Sequence, residues 1–221
     1  MDTKVLKDMI TVIRTEQKRR TSLLQNADPD FAYDNWLFTD GPFLNELCLI
    51  FMVALRHQIE RDLVGLAARA NETKNEISGK QYQENITKVR RTNNAGKNTG
   101  WDWKEIYKRL DLKNCDNYIF VEALSLLSNS YKHEHSMEPN DELLSLLRLG
   151  IGVNYASLPE SDALREGFAK FIGIKEDSDF CDIAEQFIDI SKNFLINVES
   201  RANLCKVKWG PVSLNPDDSA R

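Results

Sequence analysis

Apolar residues recur at the period of an α-helix through most of this 221-residue chain. The longest case is the segment 178–204, where an apolar side chain returns every three or four residues for five turns. Similar stripes predict helices over 3–25, 40–70, 116–133 and 157–173, while the alternation typical of strands is nearly absent. Amphipathic helices bury their apolar stripes against one another. The sequence therefore predicts an all-α fold, an up-and-down helical bundle.

The bundle is predicted to occupy residues 1–205 as a single domain, which suits a chain of this length. Residues 71–100 are polar and form a predicted insertion or loop within it. Inside that insertion we expect a short helix over 81–91 and a mobile loop over 92–100. Residues 206–221 are predicted to be a flexible tail.

The run Leu47 to Leu55 is apolar at nine consecutive positions, which predicts that this part of its helix is buried on every side. A bilayer span needs about 20 such residues, so no membrane contact is expected. The charged N-terminus lacks the apolar segment of a secretory signal. The four cysteines are widely spaced and form no CxxC pair, which favours reduced thiols and a cytoplasmic protein.

Charge is unevenly distributed along the chain. Residues 80–113 hold nine basic and four acidic residues, whereas the whole chain carries a net charge of -5. Within this segment the basic residues, which include Lys88, Arg90 and Arg91, are interleaved with three aromatic residues, Trp101, Trp103 and Tyr107. Basic and aromatic residues in such an arrangement can hold nucleic acid through phosphate contacts and base stacking. The alternative is a solvated insertion whose aromatic side chains face the core.

A polar segment ends the helix that begins near Asp116. Asn129 and His133 are four residues apart and share one helical face, and Ser128 and Lys132 form the adjacent row. Histidine moves protons near neutral pH without any shift of its pKa, so this corner could perform acid–base chemistry. The alternative is that these side chains satisfy the last carbonyl groups of their helix.

Ser128-Asn129-Ser130-Tyr131-Lys132-His133 resembles the signature of the HEPN superfamily, whose members are small helical bundles and include RNA-cleaving toxins and defence proteins. The signature is an Arg, usually a polar residue such as Asn, three variable residues and a His. This chain matches the spacing, the Asn and the His, and has Ser128 where the signature has Arg. The resemblance covers the helical plan of residues 1–200 and is specific at these six positions.

The resemblance implies a metal-independent endoribonuclease in a bacterial toxin or phage-defence role, with no cofactor. His133 would be the general acid or base at a ribose 2′-OH, Asn129 would orient the phosphate, and Lys132 would replace the missing guanidinium. Ser128 would also line the RNA site. The family's active nucleases pair two copies of this helix, so the resemblance also implies a homodimer, with an antitoxin or another protein as a further partner.

Two further residues could reach the same corner. Arg56 and His57 lie on the second helix and would contact RNA if that helix packs beside the helix of Asn129. The alternative is a surface ion pair between Arg56 and Glu60, worth at most about 0.5 kcal/mol, with a solvated His57.

Two other functions remain open at this point. The first is a non-catalytic helical module that binds RNA or a protein, for which the missing Arg is the motivation. The second is an unrelated interaction protein that uses its acidic C-terminal half as a contact surface, since residues 134–221 hold nine basic and sixteen acidic residues. The spacing His133-x-His135 is poorly suited to one metal ion on a helix, and no metal site is predicted.

Overall fold

The computed structural model of the protein describes residues 2–25, 27–30, 41–70, 75–92, 98–133, 139–151, 153 and 161–209. Most of these residues are helical, and the strands among them are three or four residues long, which confirms the predicted all-α class. The helices are α1 (Thr3–Leu24), α2 (Gly41–Arg69), α3 (Gly79–Lys88), α4 (Trp103–Leu110), α5 (Tyr118–His133), α6 (Asp141–Leu146), α7 (Asp162–Ile172) and α8 (Phe180–Arg201). The strands are β1 (Glu76–Ser78), β2 (Arg90–Thr92), β3 (Asn98–Trp101) and β4 (Lys206–Lys208).

The chain divides into two compact units, where the sequence predicted a single domain with an insertion. Unit 1 comprises Met1–Ile59 and Asp116–Phe194, and unit 2 comprises Glu60–Cys115 and Leu195–Arg221. The two units differ in charge. Unit 1 has 13 basic and 23 acidic residues, for a net charge of -10, whereas unit 2 has 16 basic and 11 acidic residues, for a net charge of +5.

The core of unit 1 forms around the apolar stripe of α8. Phe180, Ile183 and Phe187 are fully buried, as their helical spacing predicts. The Phe187 ring meets the ring of Phe168 on α7 edge to face, with centroids 6.2 Å apart. Helix α8 therefore supplies several of the largest buried side chains of unit 1.

Helix α2 meets α8 through two buried thiols. The Sγ atoms of Cys48 and Cys181 are 2.9 Å apart. The hydrogen bond with Cys181 and the burial of the site both raise the pKa of the Cys48 thiol. All four cysteines are free and buried, so they behave as small apolar side chains rather than as reactive thiols.

Helix α1 is attached to α8 mainly by charge. Ile10 is the one buried residue of this helix. Lys7 lies 2.9 Å from Asp189, and Arg14 lies 2.5 Å from Asp182 and 3.2 Å from Glu185. A guanidinium shared between carboxylates fixes the register of α1 along α8, although each partly exposed pair adds little stability.

The apolar run of α2 is not buried on every side, so that prediction is wrong. Leu49, Met52 and Leu55 are buried, but Ile50 is 45% exposed and Ala54 is exposed as well. The core of unit 1 covers one face of the run. An all-apolar sequence does not indicate which of its faces is left open.

Unit 2 contains four short strands that the sequence did not predict, and one of them, β2, begins inside the segment 81–91 that was predicted to be helical. β1 pairs with β4 in parallel, with Glu76 opposite Lys206, and β2 pairs with β3 antiparallel, with Arg90 opposite Trp101. The tail is therefore ordered over Lys206–Lys208, and the predicted mobile loop contributes residues 98–100 to a strand. Helix α3 accordingly ends at Lys88, before the predicted residue 91.

Two helix ends show how single residues set the bounds of the helices. Asp102 accepts a hydrogen bond from the Glu105 amide at 3.2 Å, at the start of α4. Gly173 ends α7 with φ 76°, a conformation that suits glycine. Within the residues described, no helix is long and apolar enough to span a membrane.

Truncating the core of unit 1 tests the central role of α8. We expect Phe187→Ala to lower the free energy of unfolding by about 3–5 kcal/mol, because it removes a fully buried ring and leaves a cavity. Ile196→Ala on the same helix is the control, since Ile196 is 54% exposed, and we expect a change within about 0.5 kcal/mol. Urea unfolding followed by circular dichroism measures both. Equal losses in the two variants would contradict the assignment of the core.

Candidate functional site

The segment that resembles the HEPN signature forms the last turns of α5 in unit 1. Its side chains alternate between the interior and the solvent. Ser128 is 2% exposed and Ser130 is buried, whereas Asn129 is exposed. Asn129 thus reaches the surface near the end of α5, as its predicted role requires.

Ser128, which stands where the signature has Arg, faces the interior of unit 1. Its hydroxyl is buried and forms no hydrogen bond in the part of the chain that the structure describes. In this conformation the hydroxyl is not presented to a ligand on the surface. Ser130, by contrast, accepts a hydrogen bond from the Asn140 amide at 3.2 Å and ties the start of α6 to the end of α5.

Tyr131 anchors the same segment to α2. Its hydroxyl donates a hydrogen bond to Glu46 Oε1 over 3.2 Å. Partial burial raises the pKa of Tyr131 above its usual value near 10, and the negative charge and hydrogen bond of Glu46 add to this effect. The contact ties the last turns of α5 to α2.

Of the three predicted catalytic residues, only Asn129 has a side chain that the structure describes. The backbone of α5 extends to His133, but the side chains of Lys132 and His133 lie outside the described residues, as do residues 134–138. The predicted roles of Lys132 and His133 therefore stay predictions. Among the residues that are described, no group of three or more His, Cys, Asp or Glu side chains is placed to hold a metal ion.

Arg56 and His57 also belong to unit 1 and differ sharply in environment. Arg56 is 6% exposed, whereas His57 is exposed on the outer face of α2. Arg56 is thus not the surface residue that an Arg56–Glu60 ion pair would require. Arg56 is instead held inside unit 1, where a guanidinium is costly unless it is well paired.

Three of the basic residues of unit 2 lie on or next to strand β2, which pairs with β3 to form the β2–β3 hairpin. The guanidinium of Arg90 lies over the indole ring of Trp101, 5.0 Å from its centroid. Arg91 follows Arg90 on β2 and is exposed. Lys88, at the end of α3, is exposed and reaches Asn85 Oδ1 at 3.5 Å. The three predicted cations are therefore all exposed within a stretch of four residues.

The framework beneath the hairpin is held by backbone and amide hydrogen bonds. Asn85 is buried and donates to the Ala68 carbonyl at 3.0 Å, which joins α3 to α2 within unit 2. The Asp102 amide donates to the Val89 carbonyl at 2.8 Å and closes the base of the hairpin. Trp101, Trp103 and Tyr107 are each half-buried, so these rings both support the fold and reach the surface.

The predicted site residues thus belong to two different units. Ser128, Asn129, Arg56 and His57 are in unit 1, and the cations of the hairpin are in unit 2. Sequence reasoning missed Glu46, which positions α5 through Tyr131. The two residues are 85 positions apart, and no local pattern connects them.

Removing the carboxylate of Glu46 tests this positioning. We expect Glu46→Gln to lower the pKa of Tyr131, because the negative charge is lost while the burial remains. Titration of ¹³Cζ-labelled tyrosine by NMR measures the change, with Tyr131→Phe to assign the signal. In the wild type the folded-state pKa is the higher one, so the contribution of Tyr131 to stability is complete below about pH 10 and is lost as the pH rises through the folded-state value. An unchanged or higher pKa in Glu46→Gln would contradict the contact.

The comparisons with known proteins assign no family to this chain. No protein-family model, no curated protein and no solved structure matches it. The chemistry of the site therefore rests on the residues of the chain itself.

Proposed function

We propose that the protein is a non-catalytic RNA-binding module that holds single-stranded RNA on the β2–β3 hairpin of unit 2. The observation that carries this proposal is the guanidinium of Arg90 stacked 5.0 Å over the ring of Trp101. This arrangement offers a cation for a phosphate, and a base can stack on the guanidinium plane or on the part of the half-buried indole that is exposed. The two groups together favour an unpaired strand, since bases in a duplex are not free to stack on a side chain.

The electrostatics of unit 2 favour a polyanion at this place. The unit carries a net charge of +5, and Lys88, Arg90 and Arg91 are exposed within four residues of one another. Side chains alternate along a strand, so Arg90 and Arg91 place positive charge on both faces of the hairpin. Exposed charges act over roughly 8–10 Å at physiological ionic strength, which is enough for a local basic surface on an acidic chain.

The hairpin proposal predicts a specific loss of RNA affinity. We expect the full chain to bind a fluorescein-labelled 20-nucleotide poly(U) RNA, with an affinity that falls steeply as salt is raised. Arg90→Gln/Arg91→Gln should weaken binding by about tenfold or more and flatten the salt dependence, because phosphate contacts are lost. Fluorescence anisotropy at several salt concentrations measures both effects.

A matched control separates the hairpin from the overall charge. Lys4→Gln/Lys175→Gln removes two exposed cations from unit 1 and changes the net charge by the same amount. We expect this variant to bind RNA within about twofold of the wild type. Absence of salt-sensitive binding, or an equal loss in both double variants, would refute the hairpin as the RNA site.

The second candidate is the metal-independent endoribonuclease implied by the HEPN resemblance. The observation that favours it is the exposed Asn129, one helical turn before His133 on α5. In this proposal the imidazole takes the proton of a ribose 2′-OH, and the oxygen attacks the adjacent phosphodiester. The bond between phosphorus and the 5′-oxygen then breaks, and the departing 5′-oxygen receives a proton, so that the products are a 2′,3′-cyclic phosphate and a 5′-hydroxyl. The homodimer and the antitoxin partner belong to this same proposal.

Cleavage assays in EDTA test the nuclease directly. We expect the wild type to cleave an end-labelled RNA without added metal, and His133→Ala to lose at least about 100-fold in rate, the usual minimum for general acid–base catalysis. His135→Ala removes a neighbouring imidazole and should leave the rate unchanged. Intact RNA with the wild type, or equal cleavage by His133→Ala and the wild type, would exclude the nuclease and leave RNA binding by the hairpin untouched.

A further inference from the structure

Unit 1 contains a groove that neither proposed function uses. Its volume is about 1320 Å³, and it lies between the first half of α5, helix α6 with the turn that follows it, and helix α7. We call it the α5–α7 groove. Small-molecule sites are typically about 300–1,000 Å³, so the volume favours a segment of polypeptide.

The floor of the α5–α7 groove is apolar. The rings of Phe120 on α5 and Phe171 on α7 meet edge to face with centroids 5.1 Å apart and join the two helices. Gly167 allows Leu149 to approach α7, because a Cβ at position 167 would lie 3.0 Å from its Cδ1. Ile119 lines the groove and is 47% exposed, so the floor is accessible from solvent.

The lining of the groove is strongly acidic. Five carboxylates and two cations contribute to it, and one of the cations, Lys170, lies 3.8 Å from Glu176. Asp141 and Glu142 have a local explanation, since acidic residues in the first turn of α6 complement the helix dipole. Glu122, in the second turn of α5, accepts a hydrogen bond from the Tyr118 hydroxyl at 3.3 Å, and Glu166 on α7 lies 3.4 Å from Arg165, while neither Tyr118 nor Arg165 is part of the lining. The net negative charge around an apolar floor therefore calls for a ligand that is both basic and apolar.

We propose that the α5–α7 groove binds a basic amphipathic helix of a protein partner. Its apolar side chains would occupy the floor formed by Ile119, Phe120 and Phe171, and its Lys and Arg side chains would face Glu122, Glu166 and the start of α6. A helix laid in a groove is a common mode of peptide recognition, and its anchors recur at the same i, i+4 and i+7 spacing along one face. The same carboxylates repel the phosphates of RNA, so RNA is not expected to bind in this groove. The proposal for the groove therefore does not depend on the proposal for the hairpin in unit 2.

A designed peptide tests the chemistry of the groove. The probe is a fluorescein-labelled amphipathic peptide of Leu and Lys, about 18 residues long so that it can form a helix. We expect the full chain to bind it and to bind neither the same peptide with Glu in place of Lys nor a scrambled peptide of the same composition. Binding of all three peptides, or of none, would overturn the proposal.

Two sets of variants locate the binding. Glu122→Gln/Glu166→Gln should weaken the Leu/Lys peptide by about tenfold, whereas Asp8→Asn/Asp30→Asn, with the same change of charge at exposed sites of unit 1, should not. A third variant, Ile119→Asp, distinguishes a docked helix from attraction by charge alone, because the two predict opposite changes in peptide affinity. A docked helix loses its apolar contact and binds more weakly, whereas attraction by charge alone becomes stronger.

The remaining outcomes are equally decisive. Equal weakening in the two neutralised variants, or tighter binding to Ile119→Asp, would show that the peptide follows the overall charge of unit 1 and would overturn the proposal. Arg90→Gln/Arg91→Gln should leave peptide binding unchanged, so a failure of the RNA proposal and a failure of this one can be told apart. Circular dichroism of each variant confirms that the fold is retained.

Discussion

Burial of the apolar stripe of α8 is the interaction on which the rest of unit 1 depends. Each fully buried Phe or Ile contributes roughly 1.5–3 kcal/mol, and α8 supplies Phe180, Ile183 and Phe187 to the core. The other helices are then attached to α8 in different ways. Helix α7 adds the ring of Phe168, α2 adds the thiol of Cys48, and α1 adds ion pairs around a single buried Ile10. The attachment of α1 is expected to be the weakest of the three, because partly exposed ion pairs add little stability.

The features that could be predicted from the sequence are those in which the helical period of apolar residues is maintained over many residues. Helix α8 was expected over 178–204 and occupies Phe180–Arg201, because five turns of regular spacing leave little choice of element or face. Strand β4 covers three residues, too few for any periodic signal, and its partner β1 lies 130 positions earlier. Pairing over that distance is set by the tertiary fold and is invisible to a local pattern.

The burial of Arg56 and the α5–α7 groove could not be predicted from the sequence, because both depend on contacts between residues that are distant in the chain. Arg56 lies four residues before Glu60, a spacing that normally indicates a surface ion pair, and its burial depends on which face of α2 the core covers. The α5–α7 groove is assembled from side chains of three helices separated by more than 50 positions, from Ile119 to Glu176. Asn129 was predictable as a surface residue because its own helix determines its face. Contacts made between helices were not, because they depend on how the core is filled.

The substitution of Ser128 for the signature Arg has a physical consequence for the choice between binding and cleavage. Position 128 faces the interior of unit 1, where an uncompensated guanidinium would cost several kcal/mol, and a small hydroxyl avoids most of that cost. Cleavage requires a positive charge near the phosphate as well as an imidazole that moves protons. With Ser128 the charge has to come from another residue, and the ammonium group of Lys132 lacks the bidentate geometry of a guanidinium. Binding requires only cations and an aromatic surface, and the hairpin holds both in Arg90 and Trp101 without any contribution from α5.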